Sequence, residues 1–236
     1  MHMGAGTMAL AIDSVIEKAR QVAATLLQTE VEELSFEDGF FLTSKDQRSV
    51  SIIEVASAAR NSDVMPSLGE NGIDTFYKRE EAPFTFPNGC QAAEVEIDPD
   101  TGSLTLVNYV MVDDYGSLVN PALTEGQLHG GVVQGIGQAL EEFVAFDPET
   151  GQLLSGSLMD YTAPRAASFP FFKAHFQGVP TEANLLGVKG VGQAGCIAAP
   201  QVITHAVLNA LQEYNIDHIQ MPITSQSLWR SIQAAS

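Results

Sequence analysis

A glycine-rich segment near the end of the sequence has the composition of a loop that binds a negatively charged or oxo ligand. Residues 187–195 read GVKGVGQAG, and the apolar pattern of a helix follows from Ile197. Glycine-rich backbone that leads into a helix exposes free N–H groups and the positive end of the helix dipole. Lys189 adds a positive charge. The segment therefore predicts a loop that favours an anionic or oxo group.

The same segment permits a second interpretation, because residues 190–195 match the GxGxxG spacing of dinucleotide-binding folds. Those folds carry an acidic residue about 20 positions later, at the end of the next strand. Glu213 and Asp217 instead lie before or at the start of the apparent strand at 216–220. The loop also leaves little sequence after it for the rest of a doubly wound sheet. A nicotinamide-binding domain is therefore the weaker alternative.

A helical segment at 123–143 places amide side chains along one face. At 100° per residue the apolar side chains fall on one side, and Gln127, Gly131, Gln134 and Gln138 fall on the other. Amides both donate and accept hydrogen bonds, and the glycines keep the strip shallow. The pattern suits a flat, polar heterocycle. It also suits a solvated face beside a tightly packed neighbouring helix, and spacing alone leaves both open.

Three other titratable residues are not expected to form a metal site or a joint acid–base pair. His129 projects onto the apolar side of the helix at 123–143, which predicts a hydrogen-bonded core histidine and not a metal ligand. Asp113 and Asp114 are adjacent in a predicted strand, and adjacent strand residues point to opposite faces. The two carboxylates therefore should not act together as an acid and a base.

The elements that must position these residues mix helices and strands without strict alternation, which predicts an α+β fold of mixed sheets and packed helices. Ser51 and Glu54 have the spacing of a capping box. A long loop at 61–88 suggests possible sub-units 1–80 and 81–236. The predicted elements are a helix at 8–28, two short strands around Gly39, a helix at 51–59, a hairpin at 90–113, the helix at 123–143, one or two further strands, a helix to about Tyr214, a strand near Ile219 and a last helix from about Ser225.

Composition excludes several classes of partner. The formal net charge of −18 argues against nucleic acid and against anionic membranes, both of which need clustered basic residues. Cys90 and Cys196 are far apart and neither belongs to a CxxC motif, so neither a disulfide framework nor a zinc site is expected. No apolar run reaches the roughly 18 residues of a membrane span. We expect a protein of a reducing compartment, the cytoplasm.

Several long segments resemble one family. It comprises the molybdenum-binding large subunits of xanthine dehydrogenase, aldehyde oxidase and aerobic carbon monoxide dehydrogenase. The likeness covers nearly all of residues 1–236 but only about the last third of such a subunit, its C-terminal molybdopterin-binding part. The segments are FPNGCQAAEVEIDPDTG at 86–102, DDYGSLVNPALTEGQLHGGVVQGIGQALEE at 113–142, GSLMDYTAPRA at 156–166, GVKGVGQAGCIAAP at 187–200 and MPITSQSLWRSI at 221–232.

The resemblance implies a molybdopterin cofactor, in bacteria often the cytosine dinucleotide form, and the hydroxylation of an aldehyde, N-heterocycle or similar small substrate. It implies four kinds of partner: the rest of the large subunit, iron–sulfur and FAD subunits or domains, and a second copy in a homo-oligomer. Because the family's cofactor lies between domains, we expect this chain alone to be inactive and free of cofactor. No residue of this chain is expected to ligate the metal. The cofactor-binding residues that the resemblance implies are Gln127, Gly131, Gln134, Lys189, Gly190, Gly192 and Ala194. Among them, Gln127 should hydrogen-bond the pterin, and Lys189 should help to hold the loop.

One position departs from the family. A glutamate in the corresponding loop acts as the general base, and this sequence has Gln193 there. An amide accepts no proton at ordinary pH, whereas general base catalysis is worth roughly 10²–10⁴-fold. Three explanations remain open. In the first, the substrate needs no general base, or another residue acts as the base. In the second, the protein binds cofactor but is a feeble enzyme or an assembly homologue. In the third, the glutamine was introduced by substitution.

Overall fold

The computed structural model describes residues 2–61, 72–79 and 83–235, and they form two compact units. Unit 1 comprises Met1–Pro83 with Asn184–Leu186, and unit 2 comprises Phe84–Ala183 with Gly187–Ser236. Helices and sheets are mixed in both units, so the predicted α+β class is confirmed. None of the helices in these ranges is long and apolar enough to cross a membrane.

Unit 1 packs two helices on a small antiparallel sheet. Its elements are α1 (His2–Leu27), β1 (Leu34–Glu37), β2 (Phe40–Thr43), β3 (Ser49–Ser51) and α2 (Ile52–Ala59), with the strands in the order β1-β2-β3. The strands turn at Asp38 and Gly39, both of which have positive φ. The apolar face of α1 supplies the buried Ala19, Val22 and Ala23, which pack in one cluster with Phe41 and Val55.

The capping box at the start of α2 forms as predicted. Ser51 Oγ accepts from the Glu54 N–H at 3.2 Å, and Glu54 Oε2 accepts from the Ser51 N–H at 2.9 Å. Two N–H groups that the helix leaves unpaired are thus satisfied, because the first turn has no preceding carbonyls.

Ser51→Ala is expected to destabilise α2 by about 1 kcal/mol, since an alanine N-cap leaves the Glu54 N–H to water. Amide hydrogen exchange within Ile52–Ala59 should become faster. Ser57→Ala is the matched control: this hydroxyl donates to the Ile53 carbonyl inside the helix, and alanine is the better helix former there. Equal exchange in the two variants would contradict the role of the cap.

Unit 2 contains the predicted hairpin, the glycine-rich helix and the glycine loop. Its elements are β4 (Asn88–Ile97), β5 (Leu104–Asp114), α3 (Pro121–Leu140), β6 (Lys173–Phe176), α4 (Ala194–Ala210) and α5 (Ser225–Ala235). β4 and β5 are antiparallel, and β6 joins the other edge of β5 in parallel. One core lies between this sheet and the helices. It includes Tyr109, Met111, Leu128, Val132, Ile136, Ile203, Val207 and Leu228.

One prediction about elements needs correction, and another lies partly outside the described residues. No strand forms near Ile219, because residues 215–224 are irregular and Ile219 and Ile223 reach the core without sheet hydrogen bonds. Instead, the Ile223 N–H donates to the carbonyl of Ala139 on α3 at 2.7 Å. The predicted loop at 61–88 lies partly outside the described residues, and its described part at 72–79 and 83–87 forms no helix or strand.

Candidate functional site

Helices α3 and α4 cross at very short range, and glycines on both helices permit it. A Cβ added at Gly195 would lie 2.5 Å from the carbonyl oxygen of Leu128 and 2.9 Å from the nitrogen of Val132. One at Gly135 would lie 2.7 Å from Cβ of Ala199. Gly131 faces the backbone of α4 in the same way, with the Gly195 Cα at 3.2 Å from its added Cβ. Any side chain at these positions would push the helices apart.

This crossing decides between the two interpretations of the glycine face of α3. Gly131 and Gly135 are buried under α4, so a tightly packed neighbouring helix explains their lack of side chains. Gly131 is therefore covered by protein and does not form the open strip that the helical projection suggested. Gln134 and Gln138 are exposed. The covered glycines divide the strip, and its part toward the start of α3, at Gly126, Gln127 and Gly130, is called the open part.

The open part of α3 and the glycine loop meet through a hydrogen bond. Gln127 Nε2 donates to the carbonyl oxygen of Gly192 at 2.8 Å, across 65 residues of sequence. Added Cβ atoms at Gly126, Gly130 and Gly192 would meet no other atom within 4 Å. Exposed backbone, a side-chain amide and the loop thus lie together on one surface.

The loop ends at the first turn of α4, as the sequence predicted. Gln193 is the N-cap residue, it is exposed, and its side chain makes no capping hydrogen bond. The helix begins at Ala194, so the positive end of its dipole lies at the loop. The amide of Gln193 can donate and accept hydrogen bonds there, but it adds no charge.

Backbone contacts and one ion pair hold the loop to the end of β5. Lys189 Nζ lies 2.5 Å from Asp114 Oδ2, with the two side chains 13% and 17% exposed. The Lys189 N–H donates to the Tyr115 carbonyl at 2.9 Å, and the Ser117 N–H donates to the Gly187 carbonyl at 2.9 Å. Gly116 allows this approach, because a Cβ there would lie 2.1 Å from the Gly187 oxygen.

The ion pair agrees with a loop-holding role for Lys189 but not with the prediction of an added positive charge. Asp114 Oδ1 also accepts from the N–H groups of Gly116 at 2.8 Å and Val179 at 2.9 Å. Burial opposes ionisation, but Lys189 and the two N–H groups outweigh it and lower the pKa of Asp114 to about 2. Asp114 therefore neutralises Lys189, which fixes the loop in place. The added positive charge predicted for a ligand is not available.

Asp113 points the other way, as adjacent strand residues must, and it is only 4% exposed. Its Oδ2 accepts from the Tyr115 hydroxyl at 3.1 Å. Its Oδ1 lies beside Gly89 on the paired strand, where a Cβ would come within 1.8 Å of it. Burial raises the pKa of Asp113, and the Tyr115 hydrogen bond opposes that rise.

A small pocket separates Asp113 from the first turn of α4. Its volume is about 150 Å³. Its polar walls come from the β4 side and include Gln91, whose Oε1 accepts from the Tyr109 hydroxyl at 2.6 Å. The lining residues are Pro87, Asn88, Gly89, Gln91, Asp113, Ala194, Ile197 and Ala198.

The interpretation of His129 as a hydrogen-bonded core residue is wrong. Its Nε2 is buried and has no hydrogen-bond partner among the described residues, and Glu125 Oε1 lies 3.9 Å away. The ring packs edge-on against Phe172, with centroids 5.6 Å apart. Within the described ranges, no group of three or more His, Cys, Asp or Glu side chains is arranged to hold a metal ion.

This surface fits a flat ligand with polar edges. Glycine backbone at Gly126, Gly130 and Gly192 leaves room above it, and the positive end of the α4 dipole lies at the loop. The N–H groups of Ala194, Cys196 and Ile197 donate to the carbonyls of Val191 and Gln193. The surface carries no carboxylate at the loop tip, because Gln193 stands there. The arrangement can therefore bind and orient a ligand, whereas proton transfer needs a group from elsewhere.

The sequence interpretation missed two partners at this site. Asp114 is the counter-ion of Lys189, and a lysine inside a glycine loop signals that a carboxylate is needed somewhere. Gly89 makes room for the Asp113 carboxylate, but nothing in the local sequence distinguishes it from other glycines. The contact of Gly89 with Asp113 depends on the pairing of β4 with β5. The Lys189–Asp114 ion pair depends on the contacts between the loop and the end of β5.

Residues 1–170 match the family model of the molybdopterin cofactor-binding domain. The chain is 31% identical over 228 residues to the carbon monoxide dehydrogenase large chain of Hydrogenophaga pseudoflava, covering 96% of this chain and 28% of that one. It is 34% identical over 220 residues to the nicotine 6-hydroxylase large subunit of Paenarthrobacter nicotinovorans, covering 92% and 27%.

Two solved structures superpose on almost the whole of this chain. Carbon monoxide dehydrogenase from Oligotropha carboxidovorans superposes with a TM-score of 0.82 at 27% identity, covering 98% of this chain and 28% of that one. Quinoline 2-oxidoreductase from Pseudomonas putida 86 gives a TM-score of 0.78 at 32% identity, covering 98% and 30%. The chain thus spans about three-tenths of the length of the relatives it matches.

Proposed function

From the premise that this chain belongs to the molybdopterin cofactor-binding domains of molybdenum hydroxylase-type large subunits, we propose that it forms part of the cofactor site of an oxidoreductase. The full protein hydroxylates a small substrate. The observation that carries the proposal is the Gln127–Gly192 hydrogen bond, which joins the open part of α3 to the loop at the start of α4.

Each site residue has a distinct task in this proposal. Gln127 fixes the loop through Nε2 and presents its oxygen to the pterin, while Gln134 offers a second amide on the exposed side of α3. Gly190 and Gly192 present backbone to the ligand, Ala194 begins α4 at the loop, and Lys189 holds the loop through Asp114. Gly131 acts indirectly, by letting α4 lie close to α3. When bound, the cofactor supplies the redox chemistry of oxygen insertion.

The substrate class that we propose is an aldehyde or N-heterocycle. The names of two relatives, nicotine 6-hydroxylase and quinoline 2-oxidoreductase, refer to N-heterocycles. The cofactor is proposed to be the cytosine dinucleotide form. The proposed partners are the rest of the large subunit, iron–sulfur and FAD subunits, and a second copy of the complex, all in the cytoplasm.

A second function is favoured by Gln193. A protein of this fold without a base at the loop tip could bind cofactor and serve assembly without turnover. In that case the loaded complex would oxidise no member of an aldehyde and N-heterocycle panel, and Gln193→Glu would not restore activity.

The test is to express the full-length subunit with its iron–sulfur and FAD partners and to measure molybdenum and pterin. We expect about one of each per large subunit, and we expect this chain expressed alone to hold neither. A folded complex without molybdenum and pterin would contradict the proposal. Turnover of any panel substrate would exclude the assembly function.

A further inference from the structure

Position 193 leaves the site without a proton acceptor at the loop tip, so a reaction that needs a base must use another group. The side chain of Gln193 is exposed and uncharged. The next residue, Ala194, lines the pocket that leads to the carboxylate of Asp113. Of the carboxylates in the described ranges, Asp113 alone lines that pocket.

The adjacent aspartates differ in their ability to take a proton. Asp114 is held ionised by Lys189 and by two backbone N–H groups, which makes it a poor acceptor. Asp113 has one hydrogen bond, from Tyr115 to Oδ2, and its Oδ1 accepts none from any described residue. Neighbouring carboxyls with opposite environments are a recurring arrangement in acid–base sites.

The surroundings of Asp113 suit a group that gains and loses a proton. The pocket walls from β4 and α4 carry no charged side chain. On β6 the residue paired with Asp113 is Phe176. The titratable groups whose pKa values Asp113 raises are the phenols of Tyr109 and Tyr115, after the larger effect of their burial. Burial raises the pKa of Asp113, so this carboxyl holds a proton more readily than an exposed aspartate.

The pocket is large enough to connect Asp113 with the loop by water. Its volume is about 150 Å³, and water occupies about 30 Å³ per molecule in the liquid. Asn88, Gln91 and Asp113 provide the polar partners that such waters need. Asn88 and Gly89 are exposed, which gives the pocket an exit to solvent.

We propose that Asp113, through water in this pocket, accepts the proton that Gln193 cannot accept. The inference rests on the proposed function. The proton released at the reacting centre passes to pocket water as that water gives a proton to Asp113 Oδ1, forming the O–H bond of a carboxylic acid. The acid later returns its proton to bulk water at the mouth of the pocket by Asn88, so no further reactant is consumed.

The test is a double-variant cycle in the loaded full-length complex, on a substrate found with the panel above. In the Gln193 protein, Asp113→Asn should lower kcat about 100-fold or more, the typical loss of a general base. In the Gln193→Glu protein the same change should lower kcat less than about threefold, because a base stands at the loop tip again. Molybdenum and pterin content should stay constant throughout.

Infrared difference titration supplies a readout independent of turnover. A carboxylic acid band should appear at higher pH than the bands of exposed carboxyls, because burial raises the pKa of Asp113, and this band should be missing in Asp113→Asn. Tyr115→Phe removes the hydrogen bond that lowers the pKa of Asp113, so the band should appear at higher pH. The rise of kcat with pH should shift in the same direction in the Gln193 protein only, because the ionised carboxylate is the acceptor. If Asp113→Asn fails to fold, the two shifts expected in Tyr115→Phe test the proposal in its place.

The outcomes separate the two proposals. Equal losses from Asp113→Asn in the Gln193 and Gln193→Glu proteins would indicate a structural role and overturn the inference alone, as would no loss in either. A complex that lacks molybdenum and pterin overturns the proposed function and this inference with it.

Discussion

Gly195→Ala should destabilise unit 2 by about 2 to 3 kcal/mol, whereas Gly126→Ala should stabilise it by about 0.5 to 1 kcal/mol. The same methyl group is added at both sites, and only its surroundings differ. At Gly195 it would lie 2.5 Å from a backbone oxygen of α3, so the two helices must separate. At Gly126 it meets no atom within 4 Å and restricts only the unfolded chain.

Fluorescence of Trp229 measures this difference, because it is the only tryptophan of the chain and lies on α5 of unit 2. Urea unfolding followed at this residue should give a lower midpoint for Gly195→Ala and a higher one for Gly126→Ala than for the unchanged chain. If both variants moved the midpoint in the same direction, the close crossing of α3 and α4 would not be the reason for Gly195.

Lys189→Met should destabilise unit 2 by about 2 kcal/mol, between the cost of breaking an exposed pair and that of breaking a fully buried one. The substitution leaves Asp114 ionised and partly buried beside two N–H groups. Lys173→Met is the matched control, because Lys173 is exposed on β6 and forms no ion pair with a described residue. It should change the midpoint of the Trp229 transition very little.

A double variant tests whether the unpaired Asp114 carboxylate causes the loss of stability in Lys189→Met. Lys189→Met with Asp114→Asn should recover part of the stability, since the amide oxygen can still accept from Gly116 and Val179 without carrying charge. A double variant as unstable as the sum of the two single changes would show that the pair does not interact.

The stability of unit 2, measured by urea unfolding at Trp229, should decrease as the pH falls below about 4. The pKa of Asp114 is lowered to about 2 in the folded chain, below its ordinary value of about 3.9 in the unfolded chain. The stability that this carboxylate contributes is therefore present above about pH 4 and lost as the pH falls toward 2. In Lys189→Met the pKa should be lowered less, so this contribution becomes smaller and its loss is confined to a narrower range below pH 4.

Both predictions concern the placement of the loop relative to α3. Gly195 lets α4 approach α3, and the Asp114–Lys189 pair fixes the other end of the loop to β5. The Gln127–Gly192 hydrogen bond lies between these two attachments. Loosening either attachment should therefore weaken cofactor retention in the full-length complex as well as stability, because the ligand-facing backbone would no longer be held in one position.

Much of the fold could be predicted from local sequence. The periodicity of α1 and α3, the capping box at Ser51 and the alternation of the β4–β5 hairpin all agree with the structure. The exception near Ile219 has a physical reason: an apolar segment of strand length can also be buried without pairing. Its N–H partner is the end of α3, at Ala139, which no local pattern reveals.

The sequence by itself determined the class of fold, the loop that precedes α4 and the uncharged residue at its tip, because these depend on neighbours within a few positions. Only the tertiary structure decided which glycines serve packing and which face open space. It also decided that Lys189 is neutralised by Asp114, 75 positions away, and that Asp113 shares a pocket with the first turn of α4. Such pairings arise when elements far apart in sequence are brought together by burial of a common core, and a single sequence carries no local signal of them.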